Sequence, residues 1–122
     1  MDLPVGKYAI LGSGPLAVRG LREGRDLDLI VIPEVYEDYK RKEEWIVRVA
    51  YGREFLANNG IEIWKDIGPG EWNIEELIQR AEIIDGFPFV NLIDFIRWKE
   101  QAGREKDLKD VALARQFLER SG

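Results

Sequence analysis

The sequence predicts an α+β fold, in which a mixed, mostly antiparallel sheet of four to five strands is covered by helices. Short runs rich in β-branched and aromatic residues, separated by turn residues, fill the first half of the chain. Segments with apolar residues at helical spacing fill the second half. The 122 residues fit one domain, with a sheet core over 1–67 and a helical part over 68–122.

Turn residues mark the elements of the first half. Gly12 ends an apolar run, and Pro15 is suited to the first position of a helix. Gly52 and the Asn-Asn-Gly turn at 58–60 interrupt a segment rich in β-forming residues. In chain order we expect a strand, a short helix, a strand, a helix, and then two or three strands, over 7–11, 15–22, 25–33, 33–45 and 46–67.

Helical patterns dominate the second half. Asn73 is a suitable N-cap, with Glu76 three residues later. Leu92, Ile93 and Ile96 are expected on the inner face of the following helix. In chain order we expect a helix, a loop and two further helices, over 74–84, 85–89, 90–102 and 107–120.

Composition limits the chemistry that the protein can perform. With 23 acidic and 18 basic residues the net charge is −5, so the chain has no general attraction for nucleic acid or anionic membranes. Histidine and cysteine are both absent, which excludes imidazole bases, thiol nucleophiles and zinc–thiolate sites. Catalysis would therefore use carboxylates, hydroxyls, Lys, Arg or a hard cation. No apolar run approaches the roughly 20 residues that span a bilayer, and we expect a cytoplasmic protein with no membrane partner.

Two aspartates occupy the start of the second predicted strand. Asp26 and Asp28 are two residues apart, so they project from the same face with Cα atoms about 6.5 to 7 Å apart. Two like charges at this distance raise each other's pKa unless a cation lies between them. Mg²⁺ prefers carboxylate and phosphate oxygens, so this pair predicts a Mg²⁺ site.

A glycine turn precedes the aspartates. Gly12, Ser13 and Gly14 connect a strand to a helix, and the free N–H groups of such a turn attract phosphate. Turn and aspartates together predict a Mg–nucleotide site. The same glycines match a dinucleotide-binding pattern, in which the acidic residue follows a second, parallel strand. Here the acids open the second strand after a short helix, which favours antiparallel strands and argues against that alternative.

These motifs resemble a known family. "LGSG" followed by "DLDLIV" is similar to the nucleotidyltransferase fold of the DNA polymerase β superfamily. The tail "WKEQAGREKDLKDVALARQFL" is similar to the C-terminal segment of small bacterial and archaeal nucleotidyltransferases, including those of the abortive-infection toxin type. The resemblance covers most of the chain, with the middle matched only by the order of its elements.

The resemblance implies a Mg²⁺-dependent transfer of NMP from an NTP to an acceptor hydroxyl on a tRNA, a protein or a small molecule. Two Mg²⁺ ions would be held by three carboxylates, those of Asp26, Asp28 and Glu62, where Glu62 replaces the aspartate of many members. Phosphates would be held by Gly12 and Ser13. Residues that contact the triphosphate or orient those contacts would be Lys99, Arg104, Lys106, Asp107 and Asp110. A second subunit or a partner protein would supply the acceptor-binding surface.

Other interpretations of the same residues remain open. The chain is alternatively a non-catalytic nucleotide-binding module or the antitoxin-like partner of a pair. Asp26 and Asp28 are alternatively solvated acids of an edge strand. Asp107 is alternatively the N-cap of its helix, and Asp110 is alternatively an acid in the first turn that suits the helix dipole. The four tryptophans are expected in the core or at its rim.

Overall fold

One sheet with helices on both faces makes up the computed structural model, which describes residues 3–24 and 26–121. In chain order the elements are β1 Tyr8–Leu11, α1 Gly14–Ala17, β2 Leu27–Val31, α2 Pro33–Lys40, β3 Ile46–Ala50, β4 Arg53–Asn58, β5 Ile61–Trp64, α3 Ile74–Gln79, β6 Glu82–Ile84, β7 Phe87–Phe89, α4 Leu92–Ala102 and α5 Glu105–Ser121.

The sheet has the strand order β3-β4-β5-β2-β1-β7-β6. Strand β1 is antiparallel to β2, as predicted, with Leu11 opposite Asp28. Strand β2 is parallel to β5, and β1 is parallel to β7, while the other neighbours are antiparallel. The predicted mixed, mostly antiparallel sheet is therefore confirmed. The antiparallel β1–β2 pair also removes the parallel unit that a dinucleotide-binding fold requires.

The predicted number of four to five strands is wrong, because the described residues form seven. The two additional strands, β6 and β7, lie where we expected the end of a helix and a loop. Helix α3 ends at Gln79, and the chain continues as a hairpin whose turn contains Asp85 and Gly86, both with positive φ. Such Asp-Gly turns match the twist of antiparallel strands. Strand β7 then joins the main sheet by pairing Phe89 with Ile10.

Several boundaries differ from those predicted. Helix α1 has only four residues, and α2 ends at Lys40 rather than at 45. Strand β2 begins at Leu27, so Asp26 lies just before it, and Arg25 lies outside the described residues. The predicted N-cap is confirmed, since the Asn73 side chain accepts a hydrogen bond from the Glu76 backbone N–H.

A separate apolar cluster covers each face of the sheet. Helices α3, α4 and α5 cover one face through residues such as Leu77, Phe95 and Val111. Helix α2 covers the other face, where Tyr36 packs against sheet residues such as Leu56. Burying apolar side chains on both faces is what stabilises a two-sided sheet. No helix among residues 3–24 and 26–121 is long and apolar enough to cross a bilayer.

Helices α4 and α5 form a tight hairpin. Helix α4 ends at Ala102 and is capped by Gly103, which has φ +67° and donates its N–H to the Lys99 carbonyl. A residue with positive φ at this position is a common helix terminator and favours glycine. The turn brings the last residues of α4 beside the first residues of α5, and this is where most of the predicted tail motif lies.

Candidate functional site

A cavity of about 430 Å³ lies between the sheet and the α4–α5 hairpin. Asp28, Glu62 and Asp107 supply its acidic lining, from β2, β5 and α5. Three further groups of side chains line it: cations, aromatic rings and an apolar remainder that includes Leu11, Ile30, Ile67 and Pro69. The cations are Arg53, Lys99 and Arg104, and the aromatic rings are Tyr51, Trp64 and Trp98. Charges of both signs and flat apolar surfaces therefore share one cavity.

Asp28 and Glu62 form a neighbouring pair of carboxylates. The parallel register of β2 and β5 places the two residues directly opposite each other. Burial, repulsion from Glu62 and Asp26, and a hydrogen bond with Glu62 raise the pKa of Asp28 to about 6, and the Lys99 charge opposes this increase. Two like carboxylates held this close favour either a shared proton or a cation between them.

The indole of Trp64 orients the second carboxylate of the pair. Its Nε1 donates to Glu62 Oε1 at 3.0 Å, and its ring stacks on Phe55 with centroids 4.3 Å apart. The stacking fixes the ring, and the hydrogen bond occupies one Glu62 oxygen. The other oxygen of Glu62 is then available to Asp28 or to a ligand.

Gly12 allows the backbone to approach the acid pair. Its φ is +63°, and a Cβ at this position would overlap the carboxylate of Asp28. A glycine is needed here for two reasons: the backbone conformation and the space that Asp28 occupies.

Substituting Gly12 separates these two effects when Gly20 serves as the control. Gly20 also has positive φ, +72°, but no atom lies within 4 Å of the place that a Cβ would occupy there. We expect Gly20→Ala to lower the free energy of unfolding by about 1–2 kcal/mol, the cost of a left-handed backbone. Gly12→Ala should cost about 1–3 kcal/mol more, because Asp28 must move. Chemical denaturation of both variants measures the difference, and equal losses would show that the Asp28 contact has no energetic weight.

A second group of charges lies where α4 meets α5. The carboxylate of Asp107 is fully buried and accepts hydrogen bonds from Arg104 Nε at 2.7 Å and from Lys99 Nζ at 3.2 Å. It also accepts from the Arg104 backbone N–H, as a capping residue does at the start of a helix. Asp110, 4% exposed, forms ion pairs with Lys99 at 3.3 Å and with Arg22 at 2.9 Å. We call these five residues the charge cluster.

The pKa of Asp107 reflects this environment. Burial alone would raise the pKa of the carboxyl group, but hydrogen bonds from Arg104 and Lys99 outweigh burial and hold the pKa below its ordinary value. Asp107 is thus a buried anion that its cations keep ionised.

The remaining predicted site residues lie elsewhere. Ser13 and Asp26 line a shallower groove together with Gly24 and Phe89, rather than the main cavity. Lys106 is exposed on α5 and does not line the cavity. Within residues 3–24 and 26–121 no three acidic side chains are grouped so that they would hold a metal ion together. The three-carboxylate arrangement of Asp26, Asp28 and Glu62 stays a prediction.

A divalent cation nevertheless fits the chemistry of the acid pair. Asp28 and Glu62 offer hard oxygen ligands. Burial and repulsion from Glu62 raise the pKa of Asp28 more than the Lys99 charge lowers it. Asp26 is close enough to raise that pKa further. A bound cation would remove this repulsion.

Sequence reasoning missed several residues of the site. Trp64 lies two residues after Glu62 on β5 and therefore faces the same side of the sheet, a signal that was available in the sequence. Trp64 and Trp98 line the cavity, whereas Trp45 is buried in the core as expected. Nothing in the sequence points to Arg22, which reaches the charge cluster through the tertiary fold alone.

Comparison of the sequence with protein-family models and with curated proteins finds no match to either.

Proposed function

We propose that this protein is a Mg²⁺-dependent nucleotidyltransferase that transfers NMP from an NTP to an acceptor hydroxyl. The supporting observation is that one cavity combines the Asp28–Glu62 pair with the cations Lys99 and Arg104. A Mg–NTP complex carries the charges that complement both groups, since carboxylates bind Mg²⁺ and cations bind phosphates.

In the proposed binding mode the triphosphate contacts Lys99 and Arg104, with Gly12 beside it at the end of β1 and Ser13 in the neighbouring groove. Asp28 and Glu62, joined by Asp26, would hold Mg²⁺. The apolar and aromatic lining, including Trp64 and Trp98, suits the flat faces of a nucleobase. A volume of about 430 Å³ lies within the range of small-molecule sites.

The proposed reaction is an in-line displacement at the α-phosphorus. The acceptor hydroxyl oxygen forms a bond to this phosphorus while the bond from phosphorus to the oxygen bridging to the β-phosphate breaks, and pyrophosphate leaves with that electron pair. The hydroxyl proton passes to the carboxylate of Glu62. When bound, Mg²⁺ supplies neutralisation of the charge on the phosphate oxygens. Lys99 and Arg104 hold the phosphates in line for attack.

The acceptor is proposed to be a hydroxyl of a tRNA end, a protein side chain or a small molecule. Because the nucleotide would occupy the main cavity, a second subunit or a partner protein is proposed to contribute the acceptor-binding surface.

Calorimetric titration of each of the four NTPs, with and without Mg²⁺, tests the nucleotide site. The proposal predicts binding that depends on Mg²⁺ and is lost in the Asp26→Asn, Asp28→Asn double variant. The matched control is Asp38→Asn with Glu105→Gln, which removes two acidic charges from exposed surface positions. The control should bind as the wild-type protein does.

Two results would contradict the proposal. One is the absence of NTP binding by folded wild-type protein in the presence of Mg²⁺. The other is binding that the double variant retains. Binding without release of pyrophosphate, in the presence of tRNA, protein and small-molecule acceptors, would favour the non-catalytic nucleotide-binding module.

A further inference from the structure

The charge cluster contains two buried carboxylates, and its cations pair with them in different ways. Asp107 is satisfied by Arg104, which donates both its side-chain Nε and its backbone N–H. Asp110 is satisfied by Arg22, whose Nη1 lies 2.9 Å from each carboxylate oxygen. Each buried anion therefore has an arginine of its own.

Lys99 lies between the two carboxylates. Its Nζ is 3.2 Å from Asp107 Oδ1 and 3.3 Å from Asp110 Oδ2. An ammonium group has three N–H donors, so these contacts leave one for the cavity, which Lys99 lines. The side chain is 12% exposed, and its charge acts on Asp28. The Nζ also lies 5.0 Å from the centroid of the Trp98 ring and 5.7 Å from that of the Phe95 ring. Attraction to the two aspartates, together with these ring contacts, decides where this ammonium group lies.

Arg22 sets that balance from outside the cavity. It belongs to the connection between α1 and β2, 88 positions from Asp110, and does not line the cavity. If Arg22 is removed, Asp110 keeps only Lys99 as a charged partner among the ion pairs of the described residues. A buried carboxylate that loses one cation attracts the remaining cation more strongly. Lys99 should then move toward Asp110 and away from the cavity.

We propose that Arg22 is a positioning residue that holds the Lys99 ammonium group toward the ligand by neutralising Asp110. The part of this inference that concerns nucleotide binding rests on the proposed function.

Two readouts on three variants test the inference. The variants are Arg22→Gln, the conservative Arg22→Lys, and the control Arg80→Gln. Arg80 is a suitable control because it also pairs at 2.9 Å with a buried carboxylate, that of Asp94, and does not line the cavity. The first readout is the rate at which acetic anhydride labels the Lys99 amine in ligand-free protein, measured by mass spectrometry. The second is the dissociation constant of the Mg–NTP that the wild-type protein binds most tightly.

Arg22→Gln should slow the labelling of Lys99 several-fold, because a tighter contact with Asp110 covers the amine and keeps it from the reagent. It should also weaken Mg–NTP binding about tenfold, as expected when one charged contact is misplaced. Arg22→Lys should restore both values to within about threefold of wild type, since a lysine also neutralises Asp110. Arg80→Gln should change neither value, although it removes an equivalent ion pair.

The outcomes distinguish this inference from the proposed function. If no Mg–NTP binds to the wild-type protein, the proposed function fails, and the labelling rates still decide whether Arg22 positions Lys99. If labelling is unchanged in Arg22→Gln, or if Arg80→Gln slows it equally, the inference is overturned whatever the protein binds. If labelling slows but NTP affinity stays at the wild-type value, Arg22 does not act on the ligand and the inference is likewise overturned.

Discussion

The Asp28→Asn variant is expected to be more stable than the wild-type protein above pH 6, by about 2 kcal/mol in the free energy of unfolding. Burial and the neighbouring carboxylates raise the pKa of Asp28 from 3.8 to about 6. The folded protein thus binds this proton more tightly than the unfolded chain does. Wild-type stability should fall as the pH rises from about 4 to about 6, and the full cost should remain above that range. Asparagine carries no charge and avoids this cost.

Urea denaturation at pH 4, 6 and 8 measures the effect. The two proteins should be most alike at pH 4 and differ most at pH 8. Asp38→Asn makes the same charge change at an exposed position, and its stability should stay within about 0.5 kcal/mol of wild type at every pH. A wild-type protein whose stability does not fall between pH 4 and 8 relative to the variant would contradict the prediction.

Added Mg²⁺ connects this stability effect to the proposed site. A cation that binds only the folded protein raises its melting temperature. We expect Mg²⁺ to stabilise the wild-type protein and to leave Asp28→Asn unchanged, because the carboxylate that attracts the cation is missing. A site that lowers stability in the absence of its ligand is common where function needs an uncompensated charge. If Mg²⁺ raised the melting temperatures of both proteins equally, Asp28 would not be part of a metal site.

Local sequence signals predicted the arrangement of β1, β2 and the β3–β5 meander. The short connection before Asp26 correctly predicts antiparallel strands, and the Asn-Gly turn at 59 and 60 correctly predicts a hairpin. The hairpin of β6 and β7 was not predicted, because Ile83 and Ile84 continue the apolar pattern of α3. Its Asp-Gly turn at 85 and 86 is nevertheless a strong hairpin signal. Strand β7 also pairs with β1, and this tertiary contact favours strand over helix for the segment.

The inner face of α4 was also predicted only in part. We expected Leu92, Ile93 and Ile96 to face inward, but Ile93 is 59% exposed and Phe95 is fully buried. The prediction for Ile93 is wrong because the helical repeat places residues 92, 95 and 96 on the face that packs against the core, and residue 93 lies off that face. Spacing of three and four residues indicates this face, whereas hydrophobicity alone does not.

The positions of the site residues could likewise be predicted only where a local sequence signal determines them. Lys99, Arg104 and Asp107 come together through the Gly103 turn, which has a local signal. Asp28 and Glu62 meet through the parallel register of β2 and β5, which joins distant parts of the chain and has no local signal. Lys106 and Asp107 are adjacent in sequence, yet only Asp107 faces inward. Ser13 and Asp26 line a separate groove, since the chain bends between Asp26 and the first residue of β2. Contacts over long sequence separations, such as that of Arg22 with Asp110, have no counterpart in local pattern.

Replacing Asp107 with alanine is expected to lower the free energy of unfolding by about 3–5 kcal/mol, the largest stability loss that we predict. The substitution removes an acceptor that is fully buried and is bonded to both Arg104 and Lys99. It leaves the Lys99 charge, 12% exposed, with one anion instead of two. It also leaves the backbone N–H of Arg104 without the acceptor at the start of α5.

Two further variants separate charge from capping. Asp107→Asn retains an oxygen that accepts from the Arg104 backbone but carries no charge, so it should lose somewhat less, about 2–4 kcal/mol. Adding Lys99→Met to Asp107→Asn removes the uncompensated cation, and we expect it to recover at least about 1 kcal/mol relative to additivity. Urea denaturation of the two single variants and the double variant completes this cycle, and additive losses would show that Lys99 and Asp107 do not interact.

The pH dependence of the stability of these variants identifies the ionised group that is responsible for the effect. Hydrogen bonds from Arg104 and Lys99 outweigh burial and keep the pKa of Asp107 below 3.8, so its contribution is present at neutral pH and is lost as the pH falls below that value. The destabilisation of Asp107→Asn should therefore be constant between pH 6 and 8 and become smaller only in strong acid. Asp28→Asn should show the opposite sign and a change between pH 4 and 6. Two aspartates of one site would then be distinguished by titration alone: Asp107 is stabilised by its cations, and Asp28 is destabilised by burial and by its neighbouring carboxylates.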